Sequence, residues 1–236
     1  MAVPVLNETE ARKRRAAERA VDFVESGVRV GLGTGSTARH VVDVLAERLR
    51  SGELRDIVGV PTSRATEEHA RASSIPLATL DAQPRLDLTI DGADEFDPRL
   101  DLIKGLGGAL LWEKIVARAS DRLIIVADES KRVDRLGSRA PLPVEVVPFG
   151  WRTHLPFLRS LGAEPELRTQ SDGAVFVSDG NHFIIDCRFA DGIANARDIE
   201  NRLDARTGIV DSGLFLGMAT HVIVAGDDVE VLERAR

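Results

Sequence analysis

The sequence predicts an α/β fold: a Rossmann-like, mostly parallel sheet with a second, smaller α+β domain. Short apolar segments alternate with amphipathic helical segments through the first half of the chain, as in a parallel sheet with helical crossovers. The first apolar segment enters its helix through a glycine-rich loop, "GLGTG". After about Gly137 the alternation gives way to a proline-flanked segment and a hairpin signal, which favour an α+β domain.

The first domain is expected to comprise residues 1–136 and 212–236. Apolar residues at helical spacing predict a helix from about Glu8 to Glu25, ended by Gly27. The next helix is expected to be capped by Ser36 or Thr37. The predicted strands are "VRVGLG" (28–33), "DIVGVP" (56–61), "LDLTID" (86–91) and "DRLIIVAD" (121–128), and the helices between them are "STARHVVDVLAERLR" (36–50), "SRATEEHARAS" (63–73) and "ALLWEKIVARAS" (109–120).

The second domain is expected to comprise residues 137–211. Its hairpin signal is Ser178-Asp179-Gly180-Asn181, which should join two strands within residues 174–186. Helices are expected at "WRTHLPFLRSLGA" (151–163) and "ARDIENRLDART" (196–207), and closing strands at "GIVDSGLF" (208–215) and "THVIVAG" (220–226). The chain should return to the first sheet near its C-terminus.

Composition excludes several classes of protein. With 43% hydrophobic and 29% charged residues the chain can bury a core, and its net charge of −7 argues against a nucleic-acid surface. The basic run at residues 13–15 fits a solvated helix face. No apolar run reaches the roughly 18 residues of a membrane span, and the first residues do not resemble a secretory signal. A single cysteine excludes an internal disulfide and fits a reducing compartment, so we expect a cytoplasmic protein. The histidines are scattered, so we expect no metal.

The loop in "VRVGLGTGSTARHVV" (28–42) is typical of anion binding, because a helix N-terminus presents backbone N–H groups and partial positive charge. It fits neither standard phosphate motif. Ser36 replaces the third glycine of the dinucleotide fingerprint, the next strand ends without a carboxylate, and the lysine of a P-loop is absent. The hydroxyls of Thr34, Ser36 and Thr37 suit a phosphate monoester or a sugar. A plain helix cap explains this loop equally well.

Four carboxylates follow a predicted buried strand in "LTIDGADEFD": Asp91, Asp94, Glu95 and Asp97. Ligands of open α/β sheets bind beyond the carboxyl ends of the strands, so this cluster favours a site. An exposed acidic turn and a divalent-cation site are the alternatives.

Two further segments carry candidate functional residues. Lys104 precedes a glycine-rich loop and could reach an anion or a developing oxyanion, and Glu113 could act as a general base if it is buried. Helical periodicity alone favours a solvent-facing Glu113 beside Lys114. Lys131 in "ADESK" is a candidate for contacting substrate, although a lone lysine is more often on the surface.

Five motifs occur together and in order: "GLGTGSTA", "DGADEFD", "KGLGGALLWEK", "ADESK" and "PLPVEVVP". Together they closely resemble the type A family of ribose-5-phosphate isomerases, and the match extends from about Lys13 to Phe215. The resemblance implies a cofactor-free enzyme that interconverts ribose 5-phosphate and ribulose 5-phosphate in the non-oxidative pentose phosphate pathway. It also implies a homodimer or homotetramer.

The resemblance implies roles for individual residues. Glu113 matches the proton acceptor, and Lys13 matches an N-terminal lysine found near the site in some members. Asp91, Asp94 and Lys104 are expected to assist catalysis. The implied substrate-binding residues are Thr34, Gly35, Ser36 and Thr37 in a first loop, Asp91, Gly92, Ala93 and Asp94 in a second, Lys104, Gly105, Leu106 and Gly107 in a third, and Lys131. Leu106 and Trp112 depart from the family pattern, which commonly has a glycine and a polar or basic residue there.

Two other classes of function use similar sheets. A sugar-phosphate sensor would keep the phosphate loop without a base, and it normally accompanies a DNA-binding segment, which this acidic chain does not show. A sugar-phosphate deaminase would favour a histidine near its acids, and none lies in the motifs above. A coenzyme A transferase is the related alternative.

Overall fold

The computed structural model describes residues 8–226 and 228–235. The described residues form two compact units: those within 1–92, 116–130 and 219–236, and those within 93–115 and 131–218. The helices are α1 (Glu8–Val21), α2 (Ser36–Ser51), α3 (Arg64–Ala72), α4 (Leu110–Arg118), α5 (His154–Ser160) and α6 (Ala196–Asp204), with single 3₁₀ turns at Glu129–Lys131 and Trp151–Thr153. The strands are β1 (Arg29–Leu32), β2 (Val58–Pro61), β3 (Leu88–Gly92), β4 (Glu95–Phe96), β5 (Leu102–Ile103), β6 (Leu123–Asp128), β7 (Leu142–Val146), β8 (Glu164–Leu167), β9 (Phe183–Arg188), β10 (Ile209–Ser212), β11 (Leu214–Phe215), β12 (His221–Ala225) and β13 (Val229–Glu233).

The first unit contains a six-stranded sheet in the order β13-β12-β6-β3-β1-β2. Every neighbouring pair is parallel except β12 and β13, which are antiparallel. The prediction of a mostly parallel sheet to which the chain returns near its C-terminus is therefore confirmed. The chain runs from β1 outward to β2 and then crosses to β3 on the other side of β1. A topological switch point thus lies between β1 and β3, where ligands of such sheets bind.

Helix α1 shows why the first unit is stable. Its small apolar residues Ala16, Ala17, Ala20 and Val21 are fully buried in a core shared with β1, β3 and α2. Arg14 on the same helix pairs with Glu47 of α2. The spacing that predicted this helix is therefore the spacing of its buried face.

The second unit contains two antiparallel sheets. Their strand orders are β10-β7-β9-β8 and β11-β5-β4. A separate core fills this unit, with Leu142, Val144 and Val146 of β7 among its fully buried side chains. The α+β character expected for this part of the chain is present.

Three local features differ from the predictions. The N-cap of α2 is Gly35, with no side-chain cap, because Ser36 already lies inside the helix. The first arm of the hairpin is not a regular strand and forms only isolated bridges, including Val177 with Phe183. Strands β4, β5, β7, β8 and β13 were not predicted, and β4 and β5 have only two residues each.

The predicted domain division differs from the two compact units at residues 93–115, 131–136 and 212–218. The reason is that β4 and β5 form a sheet with β11 in the second unit, in which β5 pairs with both, and do not join the parallel sheet. The division into domains stays a prediction. None of the helices in the described ranges is long and apolar enough to cross a membrane.

Candidate active site

The loop after β1 is joined to Asp91 at the end of β3. The backbone N–H groups of Thr34 and Gly92 both donate to Asp91 Oδ1, over 3.0 and 2.7 Å. Pairing of Leu32 with Ile90 brings the two strand ends level, so the carboxylate lies at the switch point of the sheet. Asp91 is fully buried, and its orientation is set by backbone donors.

Gly33 is required by this close approach. A Cβ atom at this position would lie 2.3 to 2.5 Å from Oδ1, Cα and Cγ of Asp91. Any side chain would therefore push the loop away from the end of β3. The carboxylate of Asp91 is therefore the physical reason for a glycine at position 33.

A cluster of hydroxyl groups lies beneath the loop. Thr34 Oγ1 is within 2.8 Å of both Thr62 Oγ1 and Ser63 Oγ, and 3.1 Å from Thr66 Oγ1. Thr66 in turn donates to the carbonyl of Gly33. Sequence reasoning missed Thr62, Ser63 and Thr66, although their position directly after the neighbouring strand "DIVGVP" was a signal that could have found them.

The outer part of the first loop is accessible. Gly35 and Ser36 are exposed and Thr37 is half-buried, at the N-terminus of the 16-residue helix α2. Unpaired N–H groups and the helix dipole favour an anion at such a position. Binding of an anion at Gly35, Ser36 and Thr37 stays a prediction.

In the second unit, Asp94 contacts the glycine-rich third loop. The backbone N–H of Leu106 donates to Asp94 Oδ2 over 2.9 Å. Leu106 and Gly107 are exposed at the tip of the loop, while Gly105 and Gly108 are buried at its ends. A bulkier residue than the family's usual glycine is accommodated at Leu106 because its side chain faces solvent, 42% exposed.

Lys104 and Glu113 form a buried ion pair. Lys104 Nζ lies 3.3 Å from Glu113 Oε1, and the two side chains are 3% and 6% exposed. Strand β5 positions Lys104, whose N–H donates to the carbonyl of Gly213, and the lysine ammonium lies 5.5 Å from the ring centroid of Phe215. The solvent-facing alternative for Glu113, which periodicity favoured, is therefore wrong.

Lys114 has a different partner from Lys104. Its ammonium donates to Asp211 Oδ1 over 2.5 Å and to the carbonyl of Ser212 over 2.7 Å. The helix can bury both Glu113 and Lys114 because each charge has its own partner inside the unit. Trp112, before them, is half-buried.

The remaining two acids of "DGADEFD" hold backbone. Glu95 is buried and accepts hydrogen bonds from the N–H groups of Gly137, Arg139 and Ala140. Asp97 accepts from the N–H groups of Arg99 and Asp101, closing a turn. The four-carboxylate cluster expected from the sequence is therefore divided, with Glu95 and Asp97 structural.

The remaining predicted residues are Lys131, Gly92 and Ala93, together with Lys13 of α1. Lys131 ends the 3₁₀ turn after β6 and is half-buried, as are Gly92 and Ala93. Lys13 on α1 pairs with Glu10 over 2.8 Å, and Glu10 also lies 2.9 Å from His40 of α2. Lys13 and then His40 lower the pKa of Glu10.

Within residues 8–226 and 228–235, no group of three His, Cys, Asp or Glu side chains is arranged to hold a metal ion.

Comparison with known proteins decides the family. The family model described as ribose 5-phosphate isomerase A (phosphoriboisomerase A) matches residues 58–229. The chain belongs to this family. One relative, ribose-5-phosphate isomerase A of Gloeobacter violaceus, is 57% identical over 222 residues, 93% of this chain and 95% of the relative.

Solved structures of isomerases share the fold of this family member. The ribose 5-phosphate isomerase of Plasmodium falciparum aligns with a TM-score of 0.93 at 37% identity, over 96% of this chain and 100% of the other. A D-ribose-5-phosphate isomerase in complex with phospho-erythronic acid aligns with a TM-score of 0.92 at 40% identity, over 95% and 99%. The Rossmann-like α/β class and the recognition of the ribose 5-phosphate isomerase A family are thus confirmed.

Proposed function

We propose that this chain interconverts D-ribose 5-phosphate and D-ribulose 5-phosphate, with Glu113 as the base. The observation that carries the assignment is the buried pair of Glu113 and Lys104, whose charged atoms lie 3.3 Å apart. Family membership supports the reaction, and the geometry supports the roles. A carboxylate beside an ammonium is the minimum that proton transfer at a carbon next to a carbonyl needs.

The reaction moves one proton between adjacent carbons. Glu113 takes the proton from C2 of the open-chain aldose, the electrons form a cis-enediolate, and the same carboxyl returns the proton to C1. Lys104 stabilises the negative charge that develops on the enediolate oxygen. Both side chains are almost fully enclosed, so water competes little for either charge.

Asp91 and Asp94 orient the hydroxyl groups of the sugar. Both carboxylates are oriented by backbone donors, from Thr34 and Gly92 for Asp91 and from Leu106 for Asp94. Carboxylates held in this way assist ring opening or transfer the proton between O1 and O2. The loops at Thr34–Thr37 and Gly92–Ala93, the loop Gly105–Gly107, and Lys131 anchor the substrate. The proposed reaction uses no redox cofactor and no metal.

The direct test is a coupled assay of ribulose 5-phosphate formation from ribose 5-phosphate, without nucleotide and with a chelator. Glu113→Gln keeps the shape of the side chain and removes its basicity. We expect kcat to fall by at least about 10²-fold to 10⁴-fold with a similar KM, the effect typical of a general base.

The matched control is Glu200→Gln on α6. Glu200 is also a buried helical glutamate of the second unit, paired with Arg197. We expect the control to retain wild-type kcat. Near-normal turnover by Glu113→Gln would refute the role of Glu113, whereas an inactive wild-type chain would refute the proposed function.

The proposal also covers the oligomeric state and the cellular location of the protein. We expect a homodimer or homotetramer, as the family resemblance implies, and the exposed Val147 and Phe149 support an apolar contact between copies. A cytoplasmic location stays a prediction from composition and from the first residues of the sequence, part of which lie outside the described residues.

A further inference from the structure

Arg168 is the residue outside the known motifs that contacts the third substrate loop most directly. It follows β8 and lies in the second unit, 11% exposed at its side chain. Its Nη1 donates to two successive carbonyls of the loop, those of Gly105 at 2.9 Å and Leu106 at 3.0 Å. Arg168 lies in none of the five motifs that resemble the family.

Asp186 on β9 orients the guanidinium. Arg168 Nε donates to Asp186 Oδ2 over 2.8 Å, and Nη2 donates to Asp186 Oδ1 over 2.5 Å. This bidentate pair fixes the plane of the guanidinium, and that leaves Nη1 directed at the loop. Lysine could not reproduce the arrangement, because a single ammonium lacks the rigid fork.

Phe176 contacts both Arg168 and the loop. The Arg168 guanidinium lies 5.7 Å from the centroid of its ring. The ring packs on Gly108, where a Cβ atom would lie 2.3 Å from the ring. Gly108 also has a φ of +83°, which favours glycine, so both the ring and the backbone conformation require glycine there.

The peptide unit between Gly105 and Leu106 is therefore held at both ends. Its carbonyl accepts from Arg168, and its N–H donates to Asp94. In the next peptide unit the carbonyl of Leu106 also accepts from Arg168. Because a trans peptide directs its N–H opposite to its C=O, the N–H of Gly107 points away from Arg168. Glycine-rich loops lose much conformational entropy on ordering, so they need such fixed contacts.

We propose that Arg168, oriented by Asp186, is a positioning residue that pre-organises the loop Lys104–Gly108 for the isomerase reaction. The inference rests on the proposed function. Arg168 acts through the loop, because it sets the direction of the backbone N–H groups of Leu106 and Gly107. Its loss should affect the transition state more than substrate binding, since a loop only about 1 Å out of place can lower the rate about 10²-fold.

The test compares Arg168→Met, Arg168→Lys and Asp186→Asn by steady-state kinetics with ribose 5-phosphate. We expect kcat to fall about 10²-fold for Arg168→Met with KM changed by less than about fivefold, and to fall less for the two conservative variants. Hydrogen exchange at the amides of residues 105–108 should become faster in the same order, which is a readout independent of activity.

Arg206 supplies the matched control. It is another arginine of the second unit that donates to a carbonyl, that of Thr153, and lies 4.4 Å from the ring centroid of Phe157. Arg206→Met should lower stability without changing kcat or exchange in residues 105–108.

The outcomes separate the two claims. A wild-type chain without isomerase activity would refute the proposed function. An active wild-type chain whose Arg168→Met variant keeps full kcat and slow exchange in the loop would overturn the role of Arg168 alone. If Arg168→Met does not fold, Arg168→Lys and Asp186→Asn decide by the same two measurements, and unchanged values in both overturn the inference.

Discussion

The four acidic side chains of the segment "DGADEFD" (91–97) make different contacts. Asp91 and Asp94 accept from backbone N–H groups of two glycine-rich loops, whereas Glu95 and Asp97 bind backbone N–H groups elsewhere. The sequence predicts that the four carboxylates follow a strand, but it does not show which of them bind the backbone of distant segments. Glu95, for example, is bound by N–H groups more than 40 positions away.

Cys187 gives a prediction at the scale of one residue. The thiol is 1% exposed, and burial, followed by the charge of Asp186, raises its pKa to about 12. We expect no reaction with Ellman's reagent at pH 8 in the native state, because the thiolate is the reactive form. One equivalent should react in denaturant. Rapid modification of the folded protein would show that the thiol is accessible.

Helix α4 shows why helical periodicity favoured the wrong environment for Glu113. Periodicity treats buried positions as apolar, yet Glu113 and Lys114 are adjacent and both are buried. Each is compensated by an opposite charge, Glu113 by Lys104 and Lys114 by Asp211. Paired charges break the apolar pattern that predicts a helix face.

Helix α6 allows a test of capping. The side chain of Asn195 accepts from the N–H of Asp198, as an N-cap does. We expect Asn195→Ala to lower the free energy of unfolding by about 1 kcal/mol, measured by urea titration followed by circular dichroism.

Asn195→Asp is the control for this cap, because aspartate is an equally good N-cap. It should stay within about 0.5 kcal/mol of the wild type. Equal stability of the alanine variant and the wild type would show that the cap contributes nothing to folding.

At the scale of the whole molecule, two cores divide the chain into two units, and the proposed assembly can be tested on the second of them. Phe149 is 93% exposed and Val147 is 39% exposed two positions earlier. A phenylalanine buries on the order of 150–250 Å² when it is covered, so a second copy would gain most at this residue.

We expect the wild-type chain to be a dimer or tetramer by light scattering after gel filtration, and Phe149→Ser to shift it towards monomer. Val231→Ser in the first unit, 36% exposed, is the control and should leave the mass unchanged. A monomeric wild type would refute the assembly. An unchanged mass for Phe149→Ser would place the contact elsewhere.

The sequence by itself determined the fold class and the family, because apolar alternation, glycine loops and the order of five motifs are all local patterns. It also placed Thr34, Asp91, Lys104 and Glu113 among the candidate residues. Only the tertiary structure decided the burial of Glu113, the hydroxyls under Thr34, and the contact of Arg168 with Gly105, 63 positions away. The physical reason is that hydrogen-bond partners and burial are set by packing between distant segments, on which a local pattern carries no information.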